Sequence, residues 1–187
     1  DNIQFAMLRI GYRGSTEGSI HADELFETNL KGAQSAGLDV GVYFFSQAIN
    51  VEEAREEAAF VLQQLREAGV TKLALPVAFD LESSPDYSGR ADNLSPAETN
   101  AIARAFCTTI QEAGYRVIVY GNKVDLNRFD LVSLDEPIWL AQYVDQPDVN
   151  FNFLIWQYTS TGQVDGITGS VDLNLDFSRV STSKSPK

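Results

Sequence analysis

The chain contains at residues 73–82 the stretch LALPVAFDLE, an apolar run that ends in two carboxylates. The run is long enough to form a fully buried β-strand. Because side chains alternate across a strand, Asp80 and Glu82 would point to the same face, with their backbone positions about 6–7 Å apart. Removing a carboxylate from water is costly, so acids rarely end a buried strand without a functional reason. The stretch therefore predicts a hydrolytic site.

The remaining residues of this stretch divide between two faces. Pro76 and Ala78 would lie on the face of the acids, which suits the interior of a barrel that opens at its top. The other face would pack against helices and carries Leu75, Val77, Phe79 and Leu81. The functional interpretation is acid–base chemistry on a glycosidic or related bond, with one acid kept protonated by burial and its neighbour ionised. The plainer alternative is that both acids simply leave the strand into solvent at a loop.

Strand and helix patterns alternate on both sides of this stretch. Helices are predicted at residues 22–37, 50–69 and 95–114. Each ends at a glycine, and the last two begin with the capping pairs Asn50/Glu53 and Ser95/Glu98. Further strands are predicted at residues 4–10, 40–45, 115–121, 137–143, 153–158 and 170–177. No convincing helix separates the last three of these strands.

This order of elements predicts an α/β fold. Strands that alternate with helices form right-handed βαβ units and a parallel sheet. Buried strands that end in polar groups are typical of a (β/α) barrel, whose active site lies at the carboxyl ends of the strands. Because the last third is poor in helices, we expect an irregular TIM-like barrel.

Further acids and aromatic residues extend the predicted site. Asp172 and Asn174 share one face of the strand VDLNLDF at residues 171–177, and Asp176 continues that face. This face could equally be an exposed surface; it matters because the strand would close the barrel near Asp80 and Glu82. Tyrosine and tryptophan near strand ends could stack on sugar rings, although core packing is the simpler explanation for at least half of them.

Composition excludes several classes of function. The net charge of −12 argues against a nucleic-acid partner. One cysteine allows no internal disulfide, and one histidine makes a Ser-His-Asp triad or a histidine-rich zinc site improbable. No stretch approaches the length of a membrane span, and no signal-peptide pattern opens the chain. We therefore expect no metal, cofactor or membrane partner.

Several motifs converge on one family. They are FAMLRIGYRG, DELFETN, AGLDVGVYFF, LPVAFDLE, AGYRVIVYGN, IWLAQY and IWQYTSTGQVDGITGSVDLN. In this order the chain resembles glycoside hydrolase family 25, the N-acetylmuramidases or Chalaropsis-type lysozymes. The resemblance covers most of the chain and rests on the set of motifs, since no single piece is specific.

The resemblance implies an enzyme that cleaves the β-1,4 bond between N-acetylmuramic acid and N-acetylglucosamine in peptidoglycan, with retention of configuration. Glu82 would be the general acid, Asp80 would stabilise the charge that forms as the acetamide of the substrate attacks, and Asp172 would be a third carboxylate. Residues implied to line the sugar cleft are Tyr43, Tyr120, Trp139, Gln142, Tyr143, Trp156 and Gln157. The implied location is extracellular or at the cell wall, with glycan strands as the partner and a monomer if the barrel is complete.

One departure from the family concerns the amino-terminal end. Members of the family begin with a strand of the type G-[IV]-D-V-S, which supplies a fourth aspartate, and no segment here matches it. We therefore expect a catalytic domain over residues 1–180 that is incomplete at its amino-terminal end, followed by a polar tail at 181–187. A chitinase-like β-1,4-N-acetylglucosaminidase and a non-catalytic cell-wall carbohydrate-binding relative remain as alternatives.

Overall fold

The structure of this protein is a computed structural model that describes residues 3–178, so the predicted polar tail at 181–187 lies outside the described residues. The strands are β1 (Phe5–Arg13), β2 (Ile20–Ala22), β3 (Asp39–Phe45), β4 (Val77–Asp80), β5 (Val117–Asn122), β6 (Ile138–Ala141), β7 (Ile155–Gly162) and β8 (Val171–Asp176). The helices are α1 (Phe26–Ser35), α2 (Val51–Glu67), α3 (Pro96–Glu112), α4 (Lys123–Leu126) and α5 (Leu131–Leu134).

All eight strands belong to one curled sheet, in the order β2-β1-β3-β4-β5-β6-β7-β8. The six strands from β1 and β3 through β7 run parallel, whereas β2 and β8 pair antiparallel at the two edges. The three long helices connect the first four parallel strands, and from residue 135 to 178 the structure contains no helix. The predicted irregular α/β barrel, poor in helices in its last third, is therefore confirmed in the form of a half-barrel.

Apolar side chains pack on both faces of the sheet. The larger cluster lies between the sheet and the helices and includes Val77 and Phe79 of β4, with the Phe79 ring 5.1 Å from that of Phe106 on α3. The smaller cluster fills the concave face and includes Ala78 and Ile118. Burying one such large side chain stabilises the fold by about 1.5–3 kcal/mol. The predicted alternation along residues 75–81 therefore describes β4 correctly.

The helix boundaries follow from local hydrogen bonds. The side chain of Asn50 accepts from the Glu53 N–H at 2.8 Å, and Ser95 and Glu98 form the predicted reciprocal capping box. The first helix begins at Phe26, four residues later than predicted. Ala22 belongs to β2 instead, and the Asp23 side chain accepts the Leu25 N–H at 2.9 Å in a turn that precedes the helix.

The sequence patterns missed three short elements and overestimated the length of β4. The strand β4 covers four residues rather than the ten of the apolar stretch. Pro76, just before it, has no N–H for the ladder, and Glu82 lies two residues beyond its end. No strand was predicted at β2, where Ala22 was assigned to the first helix, and no helix was predicted at α4 or α5. Elements of three or four residues are too short for a periodic pattern to be visible.

The half-barrel has an open seam between β1 and β8. Strand β2 pairs only with Gly11–Arg13, so the edge of β1 from Phe5 to Arg9 has no neighbouring strand within residues 3–178. The outer edge of β8 likewise has no neighbouring strand within those residues. Unpaired strand edges expose N–H and C=O groups that favour association with other extended chains.

Candidate active site

The strand registers align the central residues of the site in two layers. Asp80 is in register with Phe45 on β3 and Tyr120 on β5, and Tyr120 is in register with Trp139 on β6. Trp139 is in register with Ile155 of β7, and two residues further along β7, Gln157 is in register with Asn174 of β8. Because partners in register point to the same face, these side chains meet on the concave face of the sheet.

A cleft of about 1510 Å³ opens above this face. Its acidic lining residues are Asp80, Glu82, Asp165, Asp172 and Asp176. Its other polar and aromatic lining residues include Arg9, Tyr43, Tyr120, Trp139, Gln157 and Asn174. The volume suffices for an oligosaccharide segment, since ligand sites commonly measure about 300–1,000 Å³. The same cleft continues along the open seam, where it is lined by β1, α1 and β8.

Asp80 and Glu82 form a hydrogen-bonded pair of carboxyl groups. Asp80 is 3% exposed, and its Oδ1 has no hydrogen-bond partner among the described residues. Burial, followed by the charges of Glu82 and Asp125, raises the pKa of Asp80 well above its usual range. Burial, followed by the charge of Asp125, also raises the pKa of Glu82. Because the two carboxyls interact directly, they titrate as a pair.

Asp125 is a further acid beside the pair that the sequence analysis did not identify. It is 3% exposed on α4, where its Oδ1 accepts from the backbone N–H of Ser83 at 2.9 Å and from the Ser83 hydroxyl at 2.8 Å. The guanidinium of Arg128 lies 3.6 Å away. Because its oxygens are occupied, Asp125 fixes the chain immediately after Glu82 and adds negative charge behind it.

Asp172 completes the acidic side of the cleft. It lies on β8 with Asn174, on the face that was predicted, and burial raises the pKa of its carboxyl. Its charge in turn raises the pKa of Glu82 and of Tyr43. Asp172 is exposed to solvent, whereas Asp80 is buried. The two acids therefore differ in their access to water.

Aromatic rings form one wall of the cleft. The ring centroid of Trp139 lies 4.6 Å from that of Tyr120 and 6.2 Å from that of Tyr43. The indole Nε1 of Trp139 donates to Asn174 Oδ1 at 2.8 Å, which joins β6 to β8. Burial raises the pKa of Tyr43 to about 12, so its phenol stays a neutral donor at physiological pH.

Gln157 connects two tyrosines at the upper edge of this wall. Its Oε1 accepts from the hydroxyls of Tyr120 at 3.1 Å and of Tyr143 at 2.7 Å. Tyr143 is 54% exposed, so its ring extends from the cleft rim toward solvent. Both tyrosines were among the predicted cleft residues, and the structure brings them together with Gln157.

Two other predicted cleft residues lie elsewhere. Trp156 stands between the inward-facing Ile155 and Gln157, so strand alternation turns its ring to the outer face, where it packs against the main core. The side-chain amide of Gln142 donates to the Asp148 side chain in the loop after β6, and the main-chain carbonyl of Gln142 accepts from Trp156 Nε1 at 2.8 Å. The structure therefore brings neither side chain to the carboxyl pair.

Arg9 is a cleft residue that the sequence analysis also missed. It lies in register with Tyr43, and its Nε donates to Asp23 Oδ2 at 2.7 Å. The visible signal was an isolated charge in the apolar strand pattern at residues 4–10.

Within residues 3–178, no group of three or more His, Cys, Asp or Glu side chains could hold a metal ion. None of the helices in that range is long and apolar enough to cross a membrane.

Comparison with known families supports the resemblance. The model of the family "Glycosyl hydrolases family 25" matches residues 4–167. The chain belongs to glycosyl hydrolase family 25. The match contains the strand with Asp80 and Glu82 and the aromatic wall, while Asp172 and Asn174 lie just beyond it.

Relatives in this family include named lysozymes. The chain is 27% identical over 171 residues to the autolytic lysozyme of Clostridium acetobutylicum, covering 89% of this chain and 48% of that protein. It is 25% identical over 182 residues to lysozyme M1 of Streptomyces globisporus, covering 92% and 61%. The chain thus spans about half to three-fifths of the length of these relatives.

A solved structure extends the comparison to three dimensions. The modular autolysin LytC of Streptococcus pneumoniae superimposes with a TM-score of 0.77 at 25% identity, over 90% of this chain and 39% of that one. The same fold therefore occurs as part of a longer chain in that autolysin.

Proposed function

We propose that this chain is a peptidoglycan hydrolase that cleaves the β-1,4 bond between N-acetylmuramic acid and N-acetylglucosamine with retention of configuration. The observation that carries the proposal is the hydrogen-bonded Asp80–Glu82 pair in a cleft lined by aromatic residues, within a chain of the lysozyme-containing family. The domain that carries this activity would cover residues 1–180. Its partner would be the glycan strands of the cell wall, which requires action at or outside the cell surface.

The spacing of the carboxyls favours a particular mechanism. Two protein carboxyls that flank a glycosidic bond stand about 5–5.5 Å apart in retaining enzymes and about 6.5–9.5 Å apart in inverting ones. Asp80 and Glu82 are two residues apart at the carboxyl end of β4 and interact directly, which favours action from one side of the bond. The nucleophile must therefore come from elsewhere, and the 2-acetamido group of the substrate is a nucleophile that the substrate itself carries.

In this mechanism the proton shared by the carboxyl pair moves to the leaving oxygen through Glu82. Glu82 is the less enclosed of the two acids and reaches the cleft beyond the end of β4. Asp80 then holds the negative charge and stabilises the positive charge that forms on the acetamide as its oxygen attacks the anomeric carbon. Asp172 would orient the acetamide or the incoming water from β8.

The test of this function is the release of sugar ends from purified cell walls. We expect a fall in turbidity, new reducing ends that carry N-acetylmuramic acid by mass spectrometry after borohydride reduction, and the β-anomer as the first product by NMR. Cleavage of chitin oligomers in preference to cell walls would favour the chitinase-like alternative. Binding of wall fragments without new reducing ends would identify a non-catalytic carbohydrate-binding protein.

The two tryptophans of the chain allow a test of the binding cleft. Trp139 lines the cleft and Trp156 faces the outer core, so a bound glycan fragment should change the fluorescence of the first only. We expect a spectral shift on titrating muropeptide into Trp156→Phe, which retains Trp139, and none for Trp139→Phe. A shift in Trp139→Phe alone would instead locate the sugar at the outer face.

A further inference from the structure

We propose that Ser46, Gln47 and Glu57 are positioning residues for the Asp80–Glu82 pair, acting through a buried polar network at the carboxyl ends of β1 and β3. None of the three lines the cleft. The inference rests on the proposed function, because it concerns how the same carboxyl pair is held.

The centre of the network is the Glu57 carboxylate on α2, which is 0% exposed. Its Oε1 accepts from Arg13 Nε at 2.7 Å, and its Oε2 accepts from the Ser46 hydroxyl at 2.7 Å. Arg13 ends β1 and is itself only 4% exposed, while Ser46 directly follows β3. A buried ion pair of this kind strongly penalises any rearrangement that separates its members. It therefore holds two strand ends and a helix in one arrangement.

Two consecutive residues connect this centre to the acids. The Ser46 N–H donates to the carbonyl of Asp80 at 2.7 Å, and Gln47 Nε2 donates to the carbonyl of Glu82 at 3.1 Å. Both acids are thus held at their main chain from the same side. Because the Ser46 hydroxyl is fixed by Glu57, the orientation of the Ser46 peptide, and with it the bond to Asp80, depends on the buried carboxylate.

A second ion pair fastens the loop that follows Glu82. The guanidinium of Arg90 binds both oxygens of Glu53, at 2.8 and 2.9 Å, and also donates to the carbonyl of Gln47 at 3.3 Å. Arg13 Nη2 donates to the carbonyl of Glu53 at 3.1 Å. The segments before and after the acids are therefore attached to one support, the first turns of α2.

Positioning matters here because the two carboxyls share one proton. The strength of a charge-assisted O–H···O bond depends on separations of a few tenths of an ångström, and a misplacement of about 1 Å can reduce turnover by about 10²-fold. Loosening the support of either main-chain carbonyl should therefore change proton sharing more than it changes the binding of the glycan, because neither Ser46 nor Gln47 lines the cleft.

The experiment compares Ser46→Ala and Gln47→Met with the matched control Thr99→Val. Thr99 also buries a hydroxyl, at 0% exposure on α3, but bonds only the Ser95 carbonyl at 2.9 Å. Gln47→Met is expected to fold even where Ser46→Ala does not, because Oε1 of Gln47 has no partner among the described residues. We expect a kcat on cell walls roughly tenfold lower in both variants, with KM within about twofold. The control should keep both constants.

The pH dependence separates positioning from loss of stability. The ionisable groups that interact with the pair are Asp125, Asp172, Tyr43, Tyr120 and Tyr143. Glu57 faces Arg13, which also contacts Glu53 and Glu56. None of these is altered in Ser46→Ala or Gln47→Met. Removing the Ser46 hydroxyl also raises the pKa of Glu57, so a shift of the kcat/KM profile in Ser46→Ala alone would not separate an effect on Glu57 from one on the carboxyl pair. A shift of about half a pH unit or more in Gln47→Met, which leaves that hydroxyl in place, would report a changed carboxyl pair. An unchanged profile, with losses no larger than in Thr99→Val, would overturn the inference.

A direct titration keeps this inference separate from the proposed function. Carbon-13 NMR of labelled Asp and Glu follows the carboxyl pair without any substrate, so it applies even if cell walls are not cleaved. We expect displaced titration curves for Asp80 and Glu82 in Ser46→Ala and in Gln47→Met, and wild-type curves in Thr99→Val. Wild-type curves in all three variants would refute the positioning role, whatever the enzyme acts on.

Discussion

Glu82→Gln is expected to lower turnover of cell walls by about 10²–10⁴-fold, the usual contribution of a general acid. The amide keeps the size of the side chain and can still accept a hydrogen bond from protonated Asp80. It carries no acidic proton for the leaving sugar. The fold should remain nearly unchanged, since the Glu82 side chain is only partly buried and the carbonyl of Glu82 keeps its bond from Gln47. The release of reducing ends and the melting temperature are the measurements.

The matched control for this variant is Glu112→Gln, which makes the same chemical change at an exposed residue on α3. It should retain wild-type turnover. Near-normal activity in Glu82→Gln would refute the assignment of the general acid and would leave Asp80 or Asp172 as the proton donor. Lost binding of muropeptide by Glu82→Gln would instead indicate a role in holding the sugar.

Asp80→Asn is expected to lower activity while making the protein more stable at neutral pH. The folded protein raises the pKa of Asp80, chiefly by burial, so this group contributes stability that is fully present below its unfolded pKa of about 3.9. That contribution is lost as the pH rises through the folded pKa. Asparagine cannot ionise, and the melting temperature of the variant at pH 7 should exceed that of the wild type by a few degrees, since about 1 kcal/mol corresponds to about 2–4 °C at this size.

The sign of the effect makes the Asp80→Asn experiment informative. The difference in melting temperature should shrink between pH 7 and pH 4, because the wild-type pair is protonated at the lower pH. Asp86→Asn is the opposite control: hydrogen bonds from Ser88 lower the pKa of Asp86, so its removal should not stabilise the protein at pH 7. Turnover should fall by about 10²–10³-fold, since removing one preorganised charge-stabilising group commonly has that effect. If Asp80→Asn were less stable than the wild type at pH 7, this would contradict the conclusion that the ionised Asp80 destabilises the folded protein.

Much of the fold could be predicted because local signals and the global arrangement agree. The cap at Ser95, the glycine at position 114 and the apolar run at 75–81 each indicate an element boundary or a buried face independently of the rest. Their order then selects a parallel sheet that opens at its carboxyl ends. The pair Asp80–Glu82 could be recognised because both acids lie at the carboxyl end of one apolar stretch, two positions apart, and they meet although Glu82 lies beyond the end of β4.

The remainder of the site depends on contacts that no local pattern contains. Asp125 reaches Ser83 across 42 positions of the chain, and Arg13 reaches Glu57 across 44. Trp156 could not be assigned to a face in advance, because its neighbours on both sides are large and the alternation gives no preferred phase until the register with β8 is known. Aromatic residues near strand ends therefore predict a sugar site poorly. The strand registers, in contrast, show that Trp139 lies on the concave face and Trp156 on the outer face of the sheet.

The open seam leaves two strand edges to which a further strand could be added. Within residues 3–178, the edge of β1 from Phe5 to Arg9 and the outer edge of β8 have no neighbouring strand and face a cleft that continues to the carboxyl pair. An extended peptide supplied in trans could add its backbone hydrogen bonds along that edge and carry a side chain of choice toward the acids. The turnover rate would then depend on which peptide is bound in the seam.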